Sequence, residues 1–118
     1  MTRAKVLEGK HLKTGDQEPD LLVQLIEDNR VPRDLSSAND VKVHLAQAEA
    51  NDTFVEDDTN GNVTIEDAKQ GTVSYAWQSD DTDTAATVVG EFVVKENSQQ
   101  ASYPNSGEFT VYIEEGLA

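Results

Sequence analysis

Hydrophobic residues along this chain recur with a period of two, and that feature limits its fold more than any other. Val41-Lys42-Val43-His44-Leu45, Val63-Thr64-Ile65, Val73-Ser74-Tyr75-Ala76-Trp77 and Phe109-Thr110-Val111-Tyr112-Ile113 each alternate apolar with polar or small residues. In an extended strand this alternation sends the apolar side chains to one face and the polar ones to the other. Leu21-Leu22-Val23-Gln24-Leu25-Ile26 and Val88-Val89-Gly90-Glu91-Phe92-Val93-Val94 are more continuously apolar. They read as central strands, covered on both faces for part of their length.

Breakers separate these segments at residues 29–34, 67–71 and 103–107 and at Asn60-Gly61. Asn-Gly tolerates positive φ at both central positions, so it favours a tight type I′ hairpin between Phe54-Val55 and Val63. Turn signals recurring about every 8–12 residues are those of a sandwich or barrel. Residues 45–50 hold helix formers but neither a cap nor an apolar stripe, and read as a strand end running into a loop. Residues 79–86 read as one turn of helix, with Ser79 as its N-cap. The expected architecture is an all-β, immunoglobulin-like antiparallel β-sandwich of about 7–9 strands. It spans residues 20–115, with residues 1–19 as an N-terminal extension or arm and residues 116–118 as a tail. Tyr75, Trp77, Phe92, Phe109 and Ile113 are its expected core anchors.

Charge limits the partners. Twenty-three acids face nine bases, for a net charge of -14. Such a chain repels phosphate backbones and anionic lipid, so neither nucleic acid nor membrane is an expected partner. No apolar run approaches the roughly 18 residues of a membrane span, and residues 1–13 lack the apolar centre of a signal peptide. The chain holds no cysteine, which excludes thiolate chemistry. The acids are spread along the whole chain and not massed in a tail, a pattern that suits adaptation to high salt.

Little points to catalysis, and the chain does not read as an enzyme. Its histidines are His11, in the N-terminal segment, and His44, on the polar face of a strand. No nucleophile elbow, glycine-rich phosphate loop or His-Glu-x-x-His pattern is present. Asp80, Asp81 and Asp83 read as solvated turn acids. One stretch has calcium-loop spacing: Glu56, Asp58 and Asn60 fall on positions 1, 3 and 5, Gly61 on the glycine position and Asp67 on position 12. The long and short carboxylates at its ends are interchanged, and its flanks read as strands, which favours a plain Asn-Gly hairpin. Asp57, Asp58 and Asn60 remain the candidate ligands for a structural Ca²⁺ or Mg²⁺, and no other cofactor is expected.

Several stretches, in order, carry a resemblance. Asp34-Leu35-Ser36-Ser37-Ala38 before Val41-Lys42-Val43, then Asp67-Ala68-Lys69-Gln70-Gly71-Thr72-Val73-Ser74-Tyr75-Ala76-Trp77, then Asp80-Asp81-Thr82-Asp83, Gly90-Glu91-Phe92-Val93-Val94 and Tyr103-Pro104-Asn105-Ser106-Gly107 resemble the N-terminal immunoglobulin-like domain of tailed-phage baseplate upper proteins. Ser36-Ser37 stands where that family has Thr-Gly, and Ala85-Ala86-Thr87 lacks its glycine. The resemblance implies a structural virion protein of a tailed virus, at the baseplate, tail tip, fibre attachment or capsid surface. Its implied partners are other virion proteins and further copies of itself in a symmetric assembly, after synthesis in the host cytoplasm. Joined to the acid excess, it implies a virus of a halophilic archaeon. The alternative is a module that binds a host-surface glycan or protein through loops at one end, although one tryptophan and three tyrosines make a poor sugar platform. A salt-adapted chain is expected to melt at a higher temperature in molar KCl than in dilute buffer, because screening removes repulsion among its acids. Equal midpoints in the two would give the acid excess another cause.

Overall fold

The computed structural model describes residues 1–49, 52–57, 62–78 and 80–116, with 52–57 as backbone. Among these, strands form at Arg3–Glu8 (β1), His11–Lys13 (β2), Leu21–Ile26 (β3), Asp40–Gln47 (β4), Asp52–Asp57 (β5), Val63–Asp67 (β6), Thr72–Tyr75 (β7), Ala86–Glu96 (β8), Gln99–Tyr103 (β9) and Phe109–Glu114 (β10). No helix forms among the described residues. One sheet has the order β1-β3-β7-β6, and the other β2-β10-β8-β4-β5 with β9 also on β8. Every pairing is antiparallel except β2 with β10. Lettered along the chain, these are the A-B-E-D and A′-G-F-C-C′ orders of an immunoglobulin sandwich.

The alternation read from the sequence places the core. Leu21, Val23 and Leu25 of β3 and Val73 and Tyr75 of β7 face Val41, Val43 and Leu45 of β4, Val88, Phe92 and Val94 of β8, and Phe109, Val111 and Ile113 of β10 in one buried cluster. The expected anchors all lie in it. Trp77 meets Tyr75 edge to face at 5.4 Å, and Phe92 stacks on Phe109 at 5.7 Å. Gly90 gives Phe109 its room, since a Cβ there would lie 2.6 Å from both Leu45 Cδ2 and Phe109 Cζ. β3 departs from expectation on its outer face, where Leu22, Gln24 and Ile26 are half-buried and only the inner face is closed.

The first strands are a second departure. Residues 3–13 are not an arm ahead of the sandwich: β1 pairs with β3, and β2 pairs with β10. Their signal is weak because both are edge strands. Ala4 and Val6 are half-buried against the core, and Leu12 alone fills β2's inner position. A third departure is the segment after Trp77, where residues 80–82 form turns in place of a helix, with Asp81 N–H donating to Gln78 O at 3.0 Å. Its expected cap, Ser79, lies outside the described residues, as do Asn60-Gly61 and, from the tail, Leu117 and Ala118.

β8 carries two strands on one side. β10 pairs with residues 86–90 and β9 with residues 92–96, so β9 and β10 lie end to end, divided by the Tyr103-Pro104-Asn105-Ser106-Gly107 loop. Pro104 has no N–H to continue the ladder. β8 and β9 meet through Asn97 and Ser98 alone, at φ 52° and 68°, as a two-residue hairpin of this hand requires.

Gly71 locks the β6–β7 turn to the β3–β4 connection. Its φ is 67°, its carbonyl accepts Leu25 N–H at 2.8 Å, and a Cβ there would meet Arg33 O at 2.6 Å and Leu25 O at 2.7 Å. Both obstacles are backbone. Gly71→Ala is therefore expected to destabilise the fold by about 3 kcal/mol, read as a fall in the urea midpoint; a loss below about 1 kcal/mol would place the turn elsewhere.

Candidate functional site

Loops from both sheets gather at the end of the sandwich that holds the chain start. The β3–β4 connection begins with a reversal in which Arg30 N–H donates to Glu27 O at 3.0 Å and Glu27 N–H to Val31 O at 2.8 Å. Arg30 stands at φ 68° to make it. Arg33 N–H then rejoins β3 at Leu25 O, 2.8 Å away. This turns the Arg33 side chain toward Tyr103 at the end of β9.

Four side chains meet there. Arg33 Nη1 donates to the Tyr103 hydroxyl at 2.7 Å and Nη2 to Glu96 Oε1 at 3.2 Å. The Tyr103 hydroxyl donates to Glu27 Oε1, which stands 3.9 Å from Arg33 Nη1. The guanidinium carbon lies 5.9 Å from the Tyr103 ring centroid. Tyr103 is 1% exposed. Burial, and then its hydrogen bond to the Glu27 carboxylate, push its phenol up to about 12. It stays neutral, and a donor, across the ordinary pH range. The cluster thus links the β3–β4 connection (Glu27, Arg33), the end of β8 (Glu96) and the end of β9 (Tyr103).

More ties stiffen the same end. The Met1 ammonium lies 2.5 Å from Asp28 Oδ1, Thr2 Oγ donates to Ser102 O at 2.7 Å, and Asn97 N–H donates to Asn39 Oδ1 at 2.7 Å. Beside Arg33, Glu96, Asn97, Gln99 and Gln100 line a shallow groove of about 150 Å³. Its amides offer both donors and acceptors.

No protein-family model and no curated protein matches this chain.

The other sites considered in the sequence are spread over the molecule. His44 lies on the outer face, as its place in the alternation implies, with Nδ1 3.4 Å from Glu91 Oε1. The two border a wider depression with Ala46, Val89 and Glu108. His11 stacks on Tyr112 at 5.2 Å. Asp81 accepts the Tyr75 hydroxyl at 2.5 Å and Gln78 N–H at 2.8 Å, so it braces a turn. Asp80 and Asp83 are exposed.

Of the cation candidates, Asp58 and Asn60 lie outside the described residues, and Asp57 is placed as backbone at the end of β5. Asp67, the far end of the calcium-loop spacing, sits at the end of β6 and accepts Gln70 N–H at 3.3 Å. Among the described residues no three His, Asp or Glu side chains converge to hold a metal.

The Glu27–Arg33–Glu96–Tyr103 cluster had no sequence pattern of its own. The two signals available were an arginine directly after Pro32 and a tyrosine directly before Pro104. Tyr103→Phe is expected to cost about 1–3 kcal/mol, since it strips a partner from both Glu27 and Arg33 Nη1. It also changes the alkaline limb. A phenol raised in the folded state adds stability that is complete below its unfolded value of 10.0 and is lost as pH climbs toward about 12. Denaturant unfolding from pH 8 to 12 is the check: the wild type should lose more stability over that range than the phenylalanine variant, and parallel curves would remove Tyr103 from the cluster.

Proposed function

We propose that this chain is a structural virion protein of a tailed virus that works by protein–protein assembly, at a baseplate, tail tip, fibre attachment or capsid surface. One observation carries the reading: the residues that resemble baseplate immunoglobulin-like domains are those that hold this frame together. Gly71 locks the β6–β7 turn, Tyr75 and Trp77 fill the core, and Pro104 and Gly107 stand in the break between β9 and β10. Leu35, in the Asp34-Leu35-Ser36 corner, is buried and donates its N–H to Ala68 O at 2.8 Å. Leu35, Gly71, Tyr75 and Trp77 each have a part that a generic turn residue would not fill.

The surface is consistent with assembly. Among the described residues each sheet ends in two strands that pair on one side only, β1 and β6 in one sheet and β2 and β5 in the other, and such edges can take a further strand. Its acid excess suits a virus of a halophilic archaeon and keeps single copies soluble before assembly in the host cytoplasm. Its partners are other virion proteins and further copies of this chain.

The second reading, binding of a host-surface glycan or protein, is favoured by the braced loop end. The amide-lined groove beside Arg33 is polar and held by the Glu27–Arg33–Tyr103 bonds, so it would present its groups with little loss of freedom on binding.

Purified virions of a tailed virus that encodes this chain test the first reading, by mass spectrometry and by immunogold labelling with antibody to the chain. Label on the tail tip, baseplate or capsid is the expected result. Absence from virions, with binding of the isolated chain on a glycan array, would replace assembly with host-surface recognition.

A further inference from the structure

The bases of this chain are not distributed like its acids. Arg3, Lys5, Lys10 and Lys13 fall within β1, β2 and the Gly9-Lys10 link, where Glu8 is the one acid. β1 is an edge of the four-stranded sheet and β2 an edge of the other, so the four bases run along one side of the sandwich. All four are exposed, and none forms an ion pair with a described residue. The opposite side is closed by β5 and β6. Those strands hold Asp52, Glu56, Asp57, Glu66 and Asp67, and no base.

Among the described residues β1, β5 and β6 each pair with one strand only. On β2 the Lys13 N–H donates to Asp16 Oδ2 at 3.1 Å and its carbonyl accepts Asp16 N–H at 2.9 Å. We propose that the basic β1–β2 edge of one copy docks on the acidic β5–β6 edge of a second copy. On the β2 side the charges, and not a free ladder, carry the contact. This rests on the assembly reading above and names its interface. The two patches differ, so the contact is head to tail. It closes into a ring where the rotation per step allows and otherwise grows as a filament.

The net charge opposes this contact, and ionic strength separates the two effects. The sandwich is 23 Å across. At about 0.01 M salt the screening length is about 30 Å, and each copy feels the whole charge of its neighbour. Near 0.15 M it is about 8 Å, and only the facing edges remain in range. Association is therefore expected to strengthen between those two conditions.

Analytical ultracentrifugation of the full chain tests the interface. Reversing the basic edge (Arg3→Glu, Lys5→Glu, Lys13→Glu) or the acidic edge (Asp52→Lys, Glu56→Lys, Glu66→Lys) is expected to weaken self-association about tenfold or more. An equimolar mixture of the two variants is expected to recover it, because each then offers the other its missing charge. Circular dichroism checks that each variant is folded. Where a reversal unfolds the chain, Lys5→Gln with Lys13→Gln, or Asp52→Asn with Glu56→Gln, takes its place, read as weakened association. Wild-type oligomers indifferent to both changes would overturn this interface and leave self-assembly standing. A wild type still monomeric at about 1 mM would overturn the self-contact itself, and virion labelling then decides the assembly role separately.

Discussion

Contact between the inner faces of the two sheets, with β3 at the centre of one and β4 beside β8 in the other, is the constraint on which the other elements depend. Leu21, Val23 and Leu25 on one side and Val41, Val43 and Leu45 on the other are each 0% exposed. Burying one such side chain contributes about 1.5–3 kcal/mol, and no disulfide shares the task. This contact sets the sheet separation, and the separation sets what fits at the margins. Phe109 enters between the sheets only because Gly90 presents no Cβ to its ring. The same alternation that turns valines inward turns Lys42 and the half-exposed His44 outward, so core and surface are two readings of one pattern.

That is why the fold class was legible and some of its parts were not. β4, β7 and β10 carry large apolar residues at alternate positions, and each lies in a sheet as its period implies. β1 and β2 were obscured because edge strands bury little. Arg3-Ala4-Lys5-Val6 has the right period, but its inward residues are small and its outward ones charged, so it resembles a solvated tail. The Asn97-Ser98 hairpin lacked the glycine that usually marks one; both residues take positive φ all the same, because β8 and β9 leave two residues to reverse the chain. Resemblance and alternation agreed on residues that face the core or shape a turn, which is information about the frame. The Arg33 cluster draws Glu27, Arg33, Glu96 and Tyr103 from positions up to 76 residues apart, and no local spacing encodes such a meeting.

The cluster is better understood as a specifier than as a source of stability. Desolvating a guanidinium and two carboxylates offsets most of what their attraction returns. What it contributes is geometry. Arg33 has donors to spare, and it places them on a tyrosine from β9 and a glutamate from β8. A connection that could adopt many paths is thereby held to one, next to a hairpin whose own turn is short. A loop end built this way keeps its shape when nothing is bound, and either proposed function needs that from it.

Open strand edges pose the remaining problem, since a strand that pairs on one side only invites indiscriminate pairing. Exposed lysines on an edge are a common defence, as are bulges and short strands; β1 has a register break between Val6 and Glu8, and β2 has three residues. Defence alone does not account for the signs. If both sides carried the same charge, every edge-to-edge approach would be repelled. With bases on one side and acids on the other, only like sides repel, so β1 against β1 and β6 against β6 are disfavoured while β1–β2 against β5–β6 is not. Two-fold contacts through either side are thus opposed, and head-to-tail contact is the edge pairing the charges leave open. A chain meant only to stay monomeric had acids enough to cover both sides and would have gained more protection by doing so.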